Sequence, residues 1–168
     1  MSEKFNLSTE GVLIIASSNA LKKKYNTQEF DYNFPEGLDE LIKQNLLVAI
    51  THSGGDYLIA ECIYSKDLDY LEFDKVIEQS IKLSEDDELL VLSHAEFTMI
   101  CDKDGDYKNF GSPVTYVKSN LNGMIKIQIG VIDTTEEFDK YQAYFRIKIN
   151  IKEDSDELLE NYICELCE

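Results

Sequence analysis

Two stretches alternate apolar and polar side chains more strictly than any others in this chain: residues 124–132, MIKIQIGVI, and 141–151, YQAYFRIKINI. In the first, Ile125, Ile127, Ile129 and Val131 share a face opposite Lys126, Gln128 and Gly130. In the second, Phe145, Ile147, Ile149 and Ile151 oppose Tyr144, Arg146, Lys148 and Asn150. Successive side chains of a strand point to opposite sides, so this pattern predicts strands with one face on a core and one in water. The β-branched residues suit a pleated, half-buried surface. The link 133–140, DTTEEFDK, is long for a tight turn and has room for one helical turn with Asp133 as its N-cap. The two strands are expected to pair antiparallel, with Lys126, Arg146 and Lys148 on a solvated face.

The rest of the chain reads as more of the same. Residues 1–10 form a loose lead-in, and 11–17, GVLIIAS, a buried strand. Ser18 or Asn19 caps a short helix over 20–25, which carries Lys22, Lys23 and Lys24. Phe30, Tyr32 and Phe34 either cover a core edge or face a partner, and core cover is favoured because large aromatics dominate burial. Pro35 opens a helix over 36–45, with Asn45 at its end. Residues 46–53 and 56–64 flank Ser53-Gly54-Gly55-Asp56 as a hairpin, because glycine reaches the positive φ such turns require. A strand is expected over 76–83, an acidic turn over 84–87, and one long or bent strand over 88–101. In that strand Ala95, Phe97, Met99 and Cys101 share a face. Asp102, Asp104 and Asp106 surround Gly105 as a hairpin turn, a short strand covers 114–118, and Asn122-Gly123 turns the chain into the strand at 124.

The C-terminal stretch 154–167 reads as a helix. Asp154 and Glu157 have the spacing of a capping box, and Leu158, Leu159, Tyr162, Ile163 and Leu166 fall on one stripe. The expected fold is therefore α+β and predominantly antiparallel. It is a two-sheet sandwich or bent half-barrel of about eight strands, with two short N-terminal helices and one C-terminal helix, in a single domain spanning 1–168.

Charge sets the classes of partner. The chain has 33 Asp and Glu against 16 Lys and Arg, a net charge of −17. Such a surface repels nucleic acid, whose binding needs cations against phosphates, and repels anionic membranes. It attracts basic proteins. The opening residues lack the basic and apolar regions of a secretory signal, and the longest apolar run is far too short to span a bilayer, so a cytoplasmic setting is expected.

Known chemical motifs fail one by one. The Gly54-Gly55 pair precedes a strand, whereas a phosphate loop opens a helix. Gly105 precedes Asp106 and position 113 is proline, which breaks the spacing of a calcium loop. Cys164 and Cys167 form a C-x-x-C at the end of a presumed helix, where the dipole raises a thiol pKa, so Cys62, Cys101, Cys164 and Cys167 read as free thiols. His52 and His94 are too few for a zinc site with that pair. Ser93 and His94 are adjacent in an expected strand and point apart, which excludes a hydrolytic dyad. No catalytic residue, metal ligand or cofactor is assigned.

In size, acidity and lack of motifs the chain is similar in character to bacterial immunity proteins, compact acidic inhibitors. That resemblance implies a protein that masks a basic partner such as a nuclease toxin. The contact residues expected first are Glu85, Asp86, Asp87 and Glu88 in one turn, and Asp102, Asp104, Asp106 and Tyr107 in the other. The second reading is a ligand- or metal-binding β domain, with two carboxylates in a cleft as acid and base.

Overall fold

The computed structural model describes residues 2–9, 11–52, 57–64, 68–118, 121–153 and 159–165. Two five-stranded sheets form a mixed α+β fold in which antiparallel pairing dominates. The outer sheet contains β1 (Ser2–Ser8), β4 (Tyr57–Tyr64), β9 (Phe145–Glu153), β8 (Gly123–Asp133) and β5 (Lys75–Leu83), in that spatial order. The central sheet contains β10 (Cys164–Glu165), β3 (Leu47–Thr51), β2 (Val12–Ser17), β6 (Glu88–Ser93) and β7 (Tyr116–Lys118). Among the described residues, β4 with β9 and β10 with β3 run parallel and the other pairs antiparallel.

Hydrophobic patterning explains the layers. Along β2, Leu13 and Ile15 face the outer sheet while Ile14 and Ala16 face the helices. Val48 and Ile50 against Leu47 and Ala49 in β3, and Leu89 and Val91 against Leu90 and Leu92 in β6, divide the same way. The central sheet is buried on both faces, so its strands read as continuous apolar runs. The strands β8 and β9 bury one face, so they alternate. Their register sets Ile127 beside Ile151 and Ile129 beside Ile149, the antiparallel pairing expected of them.

The described residues also form four α-helices: α1 (Ser18–Tyr25), α2 (Glu36–Lys43), α3 (His94–Asp102) and the short α4 (Phe138–Tyr141) in the β8–β9 link. Leu21 and Tyr25 of α1, Leu38, Leu41 and Ile42 of α2, and Phe97, Ile100 and Cys101 of α3 cover the second face of the central sheet. Asp133 accepts a hydrogen bond from the Thr135 amide at 2.9 Å, holding the turn at the start of that link.

Several expectations are corrected. The N-terminal lead-in is a strand, β1, paired along its length with β4. The strands on either side of residues 53–56 do not form a hairpin. One enters the central sheet and the other the outer sheet, while the turn lies outside the described residues. Residues 94–102 are a helix rather than a continued strand. Ser93 accepts from the Glu96 amide and Glu96 accepts from the Ser93 amide, a capping box that turns the chain out of β6. The Asp-Gly segment is then the end of that helix and not a hairpin: the Gly105 amide donates to the Ile100 carbonyl at 3.0 Å.

The C-terminal helix is also overturned across its described part. Residues 159–163 are irregular and Cys164–Glu165 pairs with β3. The reason is a polar tether. The Asn161 side chain accepts from the Ser80 amide at 2.9 Å and donates to the Ser80 carbonyl at 2.7 Å and the Leu47 carbonyl at 3.2 Å. Those bonds join the β5 edge of one sheet to β3 of the other, and they outweigh a helical pattern with no tertiary partner. The capping-box residues Asp154 and Glu157, and Cys167, lie outside the described residues.

The polar face of β8 and β9 is only partly solvated. Residues 68–74 cross it as a strap. The Leu68 amide donates to Gln128 at 3.3 Å, Tyr70 donates to Glu78 at 2.5 Å, and the Phe73 ring lies on Gly130. Gln128 and Asn150 are buried beneath it and share a hydrogen bond of 2.9 Å.

Candidate partner-binding face

The two acidic stretches of the sequence are neighbours in the fold, and α1 is what brings them together. Its N-cap is Ser17, whose side chain accepts from the Ala20 amide at 3.1 Å. The Ser17 hydroxyl donates in turn to Asp87 at 2.5 Å. Asp87 also accepts from the Ser18 hydroxyl at 3.0 Å and from the amides of Asn19, Ser84 and Glu88 at 3.1, 3.1 and 2.9 Å. It is 4% exposed. A carboxylate can be buried without a cation when its lone pairs are filled by donors, here including amides at the start of a helix. The turn 84–87 is thereby fastened to α1, and Glu85 and Asp86 are left in solvent. Asp86 takes a left-handed backbone, φ 59°.

The second turn presses on the middle of the same helix. Asp104 and Gly105 have φ of 62° and 70°. A Cβ on Gly105 would lie 2.1 Å from the Leu21 carbonyl oxygen of α1, so only glycine fits this approach. Lys22 reaches Asp106 at 3.6 Å. Tyr107 donates its hydroxyl to Glu88, which joins the second turn to the first. Burial, with the Glu88 hydrogen bond second, pushes the Tyr107 pKa above the usual tyrosine range.

Of the residues singled out in the sequence, Glu85, Asp86, Asp102 and Asp104 are exposed, and Glu88, Asp106 and Tyr107 are half-buried. Asp87 faces inward and serves the geometry of the site rather than its surface. The lysine run on α1 is partly spoken for: Lys22 by Asp106, and Lys24 by Glu40 at 2.5 Å.

A groove of about 810 Å³ runs between α1, α2 and the 84–87 turn, lined by Lys23, Lys24, Glu40, Gln44 and Lys82 among others. Its two carboxylates, Glu40 and Asp87, are each engaged by other groups. Glu40 is bonded to Lys24 and Gln44, and Asp87 is saturated. Among the described residues no group of three or more His, Cys, Asp and Glu converges as metal ligands would, and no helix is long and apolar enough to cross a membrane. Cys101 and Cys164 are free and buried, and burial raises both thiol pKa values.

One set of surface residues departs from the favoured core-covering expectation. Phe30 covers the core as expected, but Tyr32 and Phe34 face outward, and Met99 is turned into solvent by the helical path of α3. The sequence signal for this was the Ser93-x-x-Glu96 cap, which makes 94–102 a helix and moves Met99 off the Phe97 face.

No protein-family model matches the chain, and no curated protein matches it. Two solved structures share its fold. One is ComJ from Bacillus subtilis, an inhibitor of the DNA-degrading activity of NucA. It is 9% identical with a TM-score of 0.52, over 92% of this chain and 98% of ComJ. The other is the product of crocagin biosynthetic gene J, 13% identical with a TM-score of 0.58, over 89% of this chain and 96% of that one. At these identities the likeness establishes the shared fold.

Proposed function

We propose that this chain is a binding protein of the inhibitor class that occupies a basic partner protein, in its specific form an immunity protein that neutralises a nuclease toxin. The observation that carries the reading is the pair of acidic turns fixed against the start and the middle of α1: the inward-facing Asp87 and the Tyr107–Glu88 bond fasten them, while Glu85, Asp86, Asp102 and Asp104 are exposed. Fixed charges of one sign steer an oppositely charged partner into register. The inhibitory role of ComJ, on the same fold, supports the reading without naming the target. Glu85, Asp86, Asp102, Asp104, Asp106 and Tyr107 are the proposed contacts.

The test is affinity capture with the full chain, followed by identification of the retained protein and assay of its activity. A basic partner should be held near 0.1 M salt, where exposed charges act over ~10 Å, and released near 1 M, where they act over ~3 Å. Stoichiometric addition of this chain should suppress the partner's nuclease activity. A screen with no salt-sensitive partner, or a partner that stays fully active in the complex, overturns the proposal.

A further inference from the structure

The stretch 26–34 has no helical or strand period, yet the structure gives its aromatics a definite order. Phe30 lies lowest, with its ring 5.5 Å from both Tyr25 and Phe97 in edge contacts. Tyr32 stands on Phe30 at 5.1 Å in an edge contact. Phe34 stands on His94 at 5.3 Å, and His94 stacks on Phe97 at 6.2 Å. Each exposed ring thus rests on a buried or half-buried one. Because α3 buries Phe97, Ile100 and Cys101, it turns Ala95, Met99 and Asp102 outward at i, i+4 and i+7. The result is a patch in which Tyr32 is 59% exposed, Phe34 41% and Met99 55%.

The surrounding charge has one sign. Residues 29–39 contain Glu29, Asp31, Glu36 and Asp39 and no Lys or Arg. Residues 94–106 contain Glu96, Asp102, Asp104 and Asp106 against Lys103 alone. An apolar centre ringed by charge is the anatomy of a docking site, and Tyr, Met and Phe are enriched at such centres. Electrostatics selects the occupant. A second copy of this chain would bring a molecule of net charge −17 against these carboxylates, and an anionic membrane would meet the same repulsion. A basic protein meets attraction.

We propose that Tyr32, Phe34 and Met99 are the apolar anchor of a docking face for a basic protein, whose arginine side chains lie across the two rings while their charge meets Asp31 and Asp102. The inference rests on the inhibitor reading and extends it from the acidic turns to the outer face of α3. Arginine suits the site because its flat guanidinium stacks on aromatic faces and its stem covers apolar surface. The stacked layer beneath the rings limits the ordering needed when a partner arrives.

The chain has three methionines, and Met124 lies on the outer sheet, away from the helices, so methyl-labelled methionine gives a local probe with an internal reference. The titrant is a peptide of alternating arginine and leucine, compared with oligolysine of equal charge. The Met99 methyl resonance should shift saturably with the first, move much less with the second, and leave Met124 in place. Tyr32→Ser should weaken the peptide about tenfold while Tyr32→Phe retains it. A stationary Met99, an equal response to oligolysine, or full affinity in Tyr32→Ser overturns the anchor. The circular dichroism spectrum of Tyr32→Ser checks that the fold persists. The two proposals fail separately. A salt-sensitive partner retained by Tyr32→Ser but lost by Glu85→Gln with Asp104→Asn removes the anchor and keeps the inhibitor reading. Peptide binding as expected, with no partner in the capture experiment, does the reverse.

Discussion

Ser17 donates its hydroxyl hydrogen to Asp87 across 70 residues of sequence, and this contact fastens the start of α1 to the turn that precedes β6. The arrangement makes Asp87 the most demanding residue of the acidic turns. Asp87→Ala would strip the Asn19 and Ser84 amides of an acceptor in a buried setting and weaken the hold on Glu88. Buried donors left unpaired cost about 1–3 kcal/mol each, so a loss of ~3 kcal/mol is expected in urea denaturation. Glu85→Ala, two residues earlier in the turn and exposed, should stay within about 0.5 kcal/mol.

Asn161 closes the open side of the sandwich, since one side chain bonds β5 and β3 together. Asn161→Ala is expected to cost about 2–3 kcal/mol, because it orphans the Ser80 amide and removes two further bonds. Native-state hydrogen exchange should localise the effect: the amides of β5 and β10 lose protection first, while those of β8 keep theirs.

Two of the tight glycines, Gly105 and Gly130, differ in what opposes them. At Gly105 a new Cβ meets the Leu21 backbone at 2.1 Å in a left-handed residue. At Gly130 it meets the Phe73 ring at 2.6 Å. Backbone cannot give way as a ring can, so Gly105→Ala should cost ~3 kcal/mol and Gly130→Ala ~1 kcal/mol. Denaturation of the two variants side by side measures the order, and the reverse order would contradict this account.

Glu78 gives the fold a titratable strap contact. The Tyr70 hydrogen bond first, and Gln128 second, hold its carboxyl below the usual carboxylate value of 4.5. A depressed folded pKa means stability that is present above the unfolded pKa and lost as pH falls through the lower, folded value. The denaturation midpoint of the native chain should therefore decline as pH drops below about 4.5, and Glu78→Gln should show a shallower decline. Parallel curves for the two proteins would remove this contribution.

Asp102→Asn with Asp104→Asn changes charge at exposed positions and should leave stability within about 0.5 kcal/mol. On the proposed function it slows association with a basic partner and flattens the salt dependence of the rate, with a smaller change in dissociation. Stopped-flow association at two salt concentrations reads both quantities.

How far the sequence was legible depended on how local each determinant is. The strands β8, β9, β2 and β5 were readable because a strand's own alternation or apolar run reports its burial. The helix α3 was misread because Phe97, Met99 and Cys101 alternate as well as Phe97, Ile100 and Cys101 repeat, and the deciding cap at Ser93 was passed over. The pairing of β10 with β3 sets Cys164 beside Ile50 and Glu165 beside Thr51, far apart in sequence, and nothing near residue 164 announces it. The acidic turns were visible as composition. That Asp87 would turn inward was not, since its donors sit at Ser17 and Ser18.

The inner strands of the central sheet, β3, β2 and β6, are covered on both sides, and this limits what the molecule can change. A new target can recruit only the helices, the turns and the far face of the outer sheet. The middle strands need to conserve volume and little else, and many apolar combinations meet that demand. Very different sequences can therefore follow the same course, and the positions that meet solvent are where they differ in what they present.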